Sequence, residues 1–259
     1  LTVRTQIRRG NHGNIGFDHR FSQKQPAQGP GSQQSTIKAL QFLPQLTPQA
    51  QLLDVGCGTG AQTMVLSEQT PAHITAVDSS KEFLSILKHK ALQQGITNRL
   101  TVKEMDMEQL AFAPESLDVI WAEGAIYNIG FSRGIREWRP LLKKDGYLVV
   151  SEISWLTPER PQIVDKYWTE VYPEMGTIAE KTAQIEEAGY IPVAHFVLPE
   201  SDWTSHYYHY YEANEAAFLE RHSHSEDAKA LVEENRQEMK HFEKYSAYYN
   251  YVFYIMQKR

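Results

Sequence analysis

The chain has 259 residues, 41% of them hydrophobic and 22% charged, with a single cysteine, Cys57. That is enough apolar material for one large domain or two small ones, and it excludes disordered, collagen-like and disulfide-stapled folds. With 26 basic against 32 acidic side chains the formal charge is -6, which argues against an electrostatic grip on nucleic acid or an anionic membrane and points to a small-molecule partner in a reducing, cytoplasmic setting.

Arg4, Arg8 and Arg9 look like the basic start of a secretion signal, but Gly10, Asn11, His12, Gly13 and Asn14 follow in place of an apolar run, so no signal is expected. The best apolar runs, such as Tyr251 to Met256, fall well short of the roughly 18 residues of a membrane span. Residues 1–31 are polar and rich in Gln, Gly and Pro, which reads as an arm or lid. Within it Phe17, Asp18 and His19 either close over a ligand or belong to a disordered arm. Residues 32–259 read as one domain, with no internal repeat or linker to divide them.

From Ser32 or Ser35, either a plausible N-cap, Ile37, Leu40 and Leu43 recur at helical spacing until Pro44. Short apolar strands then alternate with amphipathic helices: a strand over 51–55, a helix over 61–68, a strand over 73–77, and a helix over 81–94 with Phe83, Leu87 and Ala91 on one face and Gly95 at its end. Strands follow over 99–103 and 117–121. A helix over 134–142 presents Ile135, Trp138 and Leu142, and 146–153 is the most apolar strand of all. Beyond Trp155 come a helix with Ile163, Tyr167 and Val171 on one face, a helix over 177–188 closed by Gly189, a strand over 191–198, and a last strand over 248–256. The long polar and aromatic stretch over about 200–245 reads as a helical cap insertion. The alternation predicts an α/β fold, a doubly wound, mostly parallel sheet with helices on both faces.

The segment Leu52-Leu53-Asp54-Val55-Gly56-Cys57-Gly58-Thr59-Gly60 runs a strand straight into glycines and then a helix. Glycines there let a ligand approach the backbone closely, at the strand end where doubly wound sheets bind nucleotides. The spacing is G-x-G-x-G, which fits a dinucleotide loop poorly, and no Gly-Lys-Ser or Gly-Lys-Thr follows as a P-loop requires. Asp54 repels a phosphate but can attract a cationic or amino-bearing ligand, so the loop favours a nucleoside with a positive tail. Asp78, ending the second strand, is placed for both hydroxyls of a ribose, or as the N-cap of the next helix, or both. Asp106 after the third strand can accept an adenine amino group with Met107 against the ring, or be a solvated loop acid.

This pattern resembles class I S-adenosylmethionine-dependent methyltransferases, over about Gln33 to Leu198 and again in the last strand. The resemblance implies a seven-stranded Rossmann-like methyltransferase fold whose last strand is antiparallel, with S-adenosyl-L-methionine as cofactor and S-adenosyl-L-homocysteine as product. It assigns the methionine part to Gly56, Gly58 and Gly60, the ribose to Asp78, and the adenine to Asp106 with Met107. The full cofactor set expected is Asp54, Gly56, Cys57, Gly58, Gly60, Gln62, Asp78, Ser79, Asp106, Met107 and Glu123. The run Trp121 to Phe131, with Gln28-Gly29-Pro30-Gly31-Ser32 and Ser151-Glu152-Ile153-Ser154-Trp155, is similar to small methyltransferases related to the ubiquinone and menaquinone biosynthesis C-methyltransferases.

Methyl transfer from a sulfonium asks mainly for in-line approach in a dry pocket, so the acceptor site is expected beyond the fourth and fifth strands. Glu123 can take the cofactor ammonium or a substrate hydrogen bond, or cap a helix. Tyr127 can exchange a proton, but a wall role is favoured for it. Glu152 and Trp155 end the fifth strand, with Glu152 either structural or a base. His206 is the preferred general base if the acceptor is a hydroxyl or amine; the spacings of His206 with His209 and of His222 with His224 do not make a metal site, and none is expected. The aromatic surplus of the insertion, Trp203, Tyr207, Tyr208, Tyr210, Tyr211 and Phe218, reads as a cap whose Trp203 and Tyr207 shape the acceptor pocket. The function expected is methyl transfer to a small acceptor of aromatic or quinone-like kind. The rival readings are a cofactor-binding regulatory protein without turnover and an NAD-type oxidoreductase; nucleic acid is disfavoured as a substrate, since no Asn-Pro-Pro-Tyr type motif follows the fourth strand. Nothing in the sequence fixes an oligomeric state.

Overall fold

The computed structural model describes residues 28–259, so Phe17, Asp18, His19 and all but the last four residues of the expected arm lie outside the described residues. Seven strands form one sheet: β1 (Gln51–Val55), β2 (His73–Asp78), β3 (Leu100–Glu104), β4 (Leu117–Glu123), β5 (Leu142–Trp155), β6 (Tyr190–Val197) and β7 (Tyr249–Lys258), in the order β3-β2-β1-β4-β5-β7-β6. The neighbours from β3 to β5 pair in parallel, and β7 runs antiparallel to both β5 and β6. The chain starts at β1, moves outward to β3, then returns to β4 on the other side of β1. That reversal opens a crevice at the carboxyl ends of β1 and β4, the usual ligand position in such sheets.

Helix α1 (Gln33–Leu40) precedes the sheet; α2 (Ala61–Gln69), α3 (Lys81–Gln93), α4 (Phe131–Trp138), α5 (Gln162–Val171) and α6 (Ile178–Glu187) connect its strands. Alternate strand residues feed two apolar layers: Leu53, Val55, Ile120, Leu148 and Val150 face one way, Leu52, Val119, Trp121 and Val149 the other. Burial on both faces is what makes these strands read as nearly continuous apolar runs.

Four local expectations are corrected. Of the two N-caps expected for α1, Ser32 is the one used, but the helix buries Ser35, Thr36 and Ala39 where Ile37 and Leu40 were expected. The reason is hydrogen bonding: Ser35 Oγ donates to Asp202 at 2.5 Å and Thr36 Oγ1 to Glu123 at 2.8 Å. Helix α4 starts at Phe131, after Gly130 turns the chain at φ 87°, and ends at Trp138, where a 3-10 turn carrying Pro140 takes over. Strand β5 begins at Leu142, fully buried and paired with Leu117, four residues before Gly146. Helix α5 turns Val164, Trp168 and Val171 inward and leaves Ile163 exposed.

The stretch before β7 is helical. A turn over Ser201–Trp203 continues as a π-helix over Thr204–Tyr208 into α7 (His209–Arg221), and α8 (Glu226–Tyr245) follows. Its aromatics are mostly core: Trp203, Tyr207, Tyr208, Tyr211, Phe218 and Phe242 join Tyr249, Tyr251 and Phe253 in one buried cluster. Trp203 stacks on Phe242 with ring centroids 4.3 Å apart and donates Nε1–H to Asn250 Oδ1 at 2.6 Å. Trp203→Phe leaves that buried oxygen without its donor, at a cost of about 1–3 kcal/mol, and removing part of the indole from the cluster adds a cavity cost; urea unfolding of the variant reads the sum.

Candidate functional site

Between β1 and α2 the chain turns through Gly56, Gly58 and Gly60 at φ of 69°, 54° and 88°, left-handed backbone that side chains disfavour. Space forbids a side chain as well: a Cβ on Gly56 would lie 2.5 Å from Cβ of Ala125 in the loop after β4. The amides of Gly56 and Cys57 both donate to Val77 O, at 2.9 and 3.0 Å, so the loop is tied to the end of β2. Asp78 completes the tie, its Oδ2 accepting from Gly58 N–H at 2.9 Å and its Oδ1 from Ser80 N–H at 2.8 Å. The cap of α3 is Ser80, whose Oγ accepts from Phe83 N–H, so Asp78 is not the capping side chain.

A cavity of about 750 Å³ opens at this point. Gly56, Cys57, Gly58 and Gly60 line it from the loop, Gln62 from the first turn of α2, Asp78 and Ser79 from the end of β2, Asp106 and Met107 from the turn after β3, Glu123 and Tyr127 from the end of β4 and the turn after it, and His206 from the π-helix. The sequence therefore named residues that share one space, with exceptions. Asp54 stands behind the wall: fully buried, it accepts from Thr63 Oγ1 at 2.5 Å and Gln62 Nε2 at 3.2 Å, so it reaches the cavity only through Gln62. Trp203 and Tyr207 do not line the cavity, and from their segment His206 and Tyr210 do; the aromatic cap is largely packing. Glu152 is also off the wall, paired with Lys181 and Tyr172.

Met107 lies beside Gly56, and its carbonyl accepts from Trp138 Nε1 at 3.2 Å. Asp106 is exposed and its Oδ1 accepts from Glu108 N–H, an acid in a loop turn that faces the cavity. Cys57 is buried, and burial pushes its thiol well above the ordinary range, with Asp54 and Asp78 adding to the effect; it is a small core side chain. Tyr127 is buried with its ring edge-on to Tyr172 at 6.3 Å, a wall position.

Sequence reasoning missed three contributors. Thr36 was assigned to a helix without a site role, yet its hydroxyl holds Glu123. Lys90 on α3 reaches Thr59 O at 2.9 Å and lines the cavity, and burial lowers its pKa; on a surface helix nothing marks such a lysine. Gln28 spans the loop from the other side, its Oε1 accepting from Thr59 N–H at 2.9 Å. Among the described residues no group of three or more His, Cys, Asp or Glu could hold a metal ion, and no described helix is long and apolar enough to cross a membrane.

Glu123 caps none of the described helices. Its Oε1 accepts from Trp121 Nε1 at 2.7 Å and from Thr36 at 2.8 Å, while Oε2 faces Gly31. Burial raises its pKa to about 8, against the lowering by those two bonds, and burial likewise raises Asp54 to about 7. An acid with a raised pKa holds its proton in the native state after the unfolded chain has lost it, so its stability contribution is complete below about pH 4 and is lost progressively as pH rises from there to 7 or 8. Glu123→Gln keeps an acceptor for both bonds and cannot ionise. Its ligand-free melting temperature is expected to exceed that of the parent by several degrees at pH 9, at about 2–4 °C per kcal/mol for a domain of this size, and to converge with it near pH 5, as scanning fluorimetry at the two pH values would record.

Compared with known families, residues 53–150 match the family described as a methyltransferase domain. The chain carries a class I S-adenosylmethionine-dependent methyltransferase domain. The matched part of the methyltransferase domain runs from β1 into β5 and so contains the glycine loop, Asp78, Asp106 and Glu123. Its curated relatives include the ubiquinone/menaquinone biosynthesis C-methyltransferase UbiE of Geotalea daltonii, 28% identical over 161 residues that make up 60% of this chain and 66% of that protein. Another is the demethylmenaquinone methyltransferase of Bacteroides fragilis, 28% identical over 149 residues, 56% of this chain and 60% of that protein. The match thus spans somewhat less than two thirds of either relative. The SAM-dependent methyltransferase of Thiobacillus denitrificans, solved with S-adenosyl-L-homocysteine, superposes with a TM-score of 0.83 at 16% identity, covering 96% of this chain and all of that one. A SAM-dependent methyltransferase of Geobacter sulfurreducens, also solved with that product, gives 0.76 at 18% identity over 100% and 98% of the chains. At such identities the likeness establishes the fold, a Rossmann-like methyltransferase sheet.

Proposed function

We propose that the protein transfers a methyl group from S-adenosylmethionine to a small acceptor of aromatic or quinone-like kind. The observation that carries this reading is the continuity of the cavity, from acids at the ends of β2 and β3, past the glycine loop, to Glu123, Tyr127 and His206. The donor set suits the cofactor. Asp78 offers lone pairs to the ribose hydroxyls, Asp106 accepts the adenine amino group with Met107 against the ring, and the Gly56 turn, closed to any Cβ, admits the methionine part. Gln62 and Glu123 then meet the amino-acid end. When bound, the sulfonium supplies the electrophilic methyl; the chain orients and dries the reaction, effects that contribute about 7–11 kcal/mol where alignment is good.

Tyr127, Ile129 and Tyr210 give the acceptor end aromatic and apolar wall. The quinone-like class is supported by the names of the curated relatives. A nicotinamide enzyme is disfavoured by the G-x-G-x-G loop. Calorimetry with S-adenosylhomocysteine tests the reading: saturable binding is expected, and no heat up to millimolar ligand would refute it. A radiolabelled methyl donor offered with hydroquinones and phenols then tests the acceptor class.

A further inference from the structure

Asp202 has no role in the reading above, yet three parts of the site converge on it. Its side chain is 1% exposed in the first helical turn after β6. Oδ2 accepts from Ser35 Oγ on α1 at 2.5 Å, and its carbonyl accepts from Gly31 N–H, so the cavity wall formed by Gly31 and α1 is fastened to it. Its Oδ1 lies 3.8 Å from Nδ1 of His206, one helical turn on. Nδ1 of His206 also sits 3.0 Å from Ser201 O. A carbonyl only accepts, so in the neutral ring Nδ1 carries the hydrogen and Nε2 the lone pair. His206 is 45% exposed and lines the cavity, so with Nδ1 turned back on its own helix Nε2 is the ring nitrogen left to serve the cavity. The five π-helical residues Thr204–Tyr208 that present it are a wound form that often accompanies functional sites.

We propose that Asp202 is a positioning residue for His206, and that this pair serves an acceptor that loses a proton on methylation, a hydroxyl or an amine. The proposal rests on the methyltransferase reading. The acceptor heteroatom's lone pair forms the new bond to the methyl carbon, the S–CH3 bond breaks with its electron pair going to sulfur, and the acceptor proton passes to Nε2. One positive charge is lost from the sulfonium and one appears on the imidazolium, whose Nδ1 side faces the Asp202 carboxylate. Ser35 fixes that carboxylate, so it needs no reorganisation when the charge arrives.

The test combines kinetics with a spectroscopic signature. Methyl transfer is measured against phenols, aryl amines and a carbon nucleophile, alongside calorimetry with S-adenosylhomocysteine. His206→Ala is expected to lower kcat on a hydroxyl or amine by about 100-fold or more, with partial rescue by added imidazole. Asp202→Asn should lower kcat by about tenfold or more while product affinity and KM for the methyl donor stay within about twofold. Nitrogen NMR of His206 in the unsubstituted protein should show the Nδ1–H tautomer. Unchanged kcat in Asp202→Asn, a resting Nε2–H tautomer, or methylation of the carbon nucleophile alone would each overturn the proposal. Failure to bind S-adenosylhomocysteine at all would instead remove the methyltransferase reading beneath it.

Discussion

Lys181→Met is expected to cost about 3–5 kcal/mol of stability, the usual consequence of leaving a buried charge unpartnered. Lys181 and Glu152 are both 0% exposed, with Nζ 3.0 Å from Oε1. Tyr172 OH donates to the same oxygen at 2.6 Å, Lys181 also donates to Glu174 O at 3.0 Å, and its Nζ sits 4.5 Å above the Phe131 ring. Burial raises the Glu152 pKa while Lys181 and Tyr172 oppose the rise, and Oε2 finds no protein partner among the described residues. Removing the lysine therefore strands a carboxylate between β5 and α6. At about 2–4 °C per kcal/mol the melting temperature should fall by about 6–20 °C. Lys181→Met with Glu152→Gln removes both charges and should recover more than half of the loss. Since neither residue lines the cavity, affinity for S-adenosylhomocysteine in the folded variant should change by less than about threefold. A melting temperature within about 2 °C of the parent would mean that Glu152 is protonated and that the pair is a neutral contact.

Asp78→Ala should weaken S-adenosylhomocysteine binding by about 100-fold or more, roughly 3 kcal/mol. Two effects add. The ribose loses its acceptors, where hydrogen bonds to a charged group contribute about 1.5–3 kcal/mol each. The Gly58 and Ser80 amides lose theirs too, so the loop is no longer held at its 2.9 Å tie to β2. Asp78→Asn keeps one acceptor oxygen and should retain part of the affinity, falling between parent and alanine variant. Calorimetry reads all three. Equal affinity for parent and alanine variant would show that the ribose lies elsewhere, and a large loss with asparagine equal to alanine would make the charge itself the determinant.

The glycine loop and the acids after β2 and β3 were legible because each is local chemistry: a strand, then residues that tolerate left-handed backbone, then a helix, all within a few residues. The role of Asp54 was misread for the opposite reason. Its motif position is local, but its side-chain direction is set by strand alternation, which turns it to Thr63 and Gln62 on α2. Trp203 was read as pocket wall because an aromatic in a polar insertion has no visible partner in the sequence. Its partners, Phe242 and Asn250, lie about 40 and 47 residues on and meet it only because α8 and β7 fold back against the same layer.

By itself the sequence determined the alternation of strands and helices, the nucleoside-type turn after β1, and the class of protein that uses it, since period-two and helical spacing, turn glycines and caps act over neighbouring residues. The tertiary structure alone decided which polar side chains are buried together: Glu152 with Lys181, Asp202 with Ser35, Glu123 with Thr36. Each of these last contacts joins elements distant in the chain through the sheet order and the seating of α1 and the 201–221 helix against it. Desolvation is strong only where those elements close over a charge, so the sequence shows the ionisable residues but not which of them the fold will make matter.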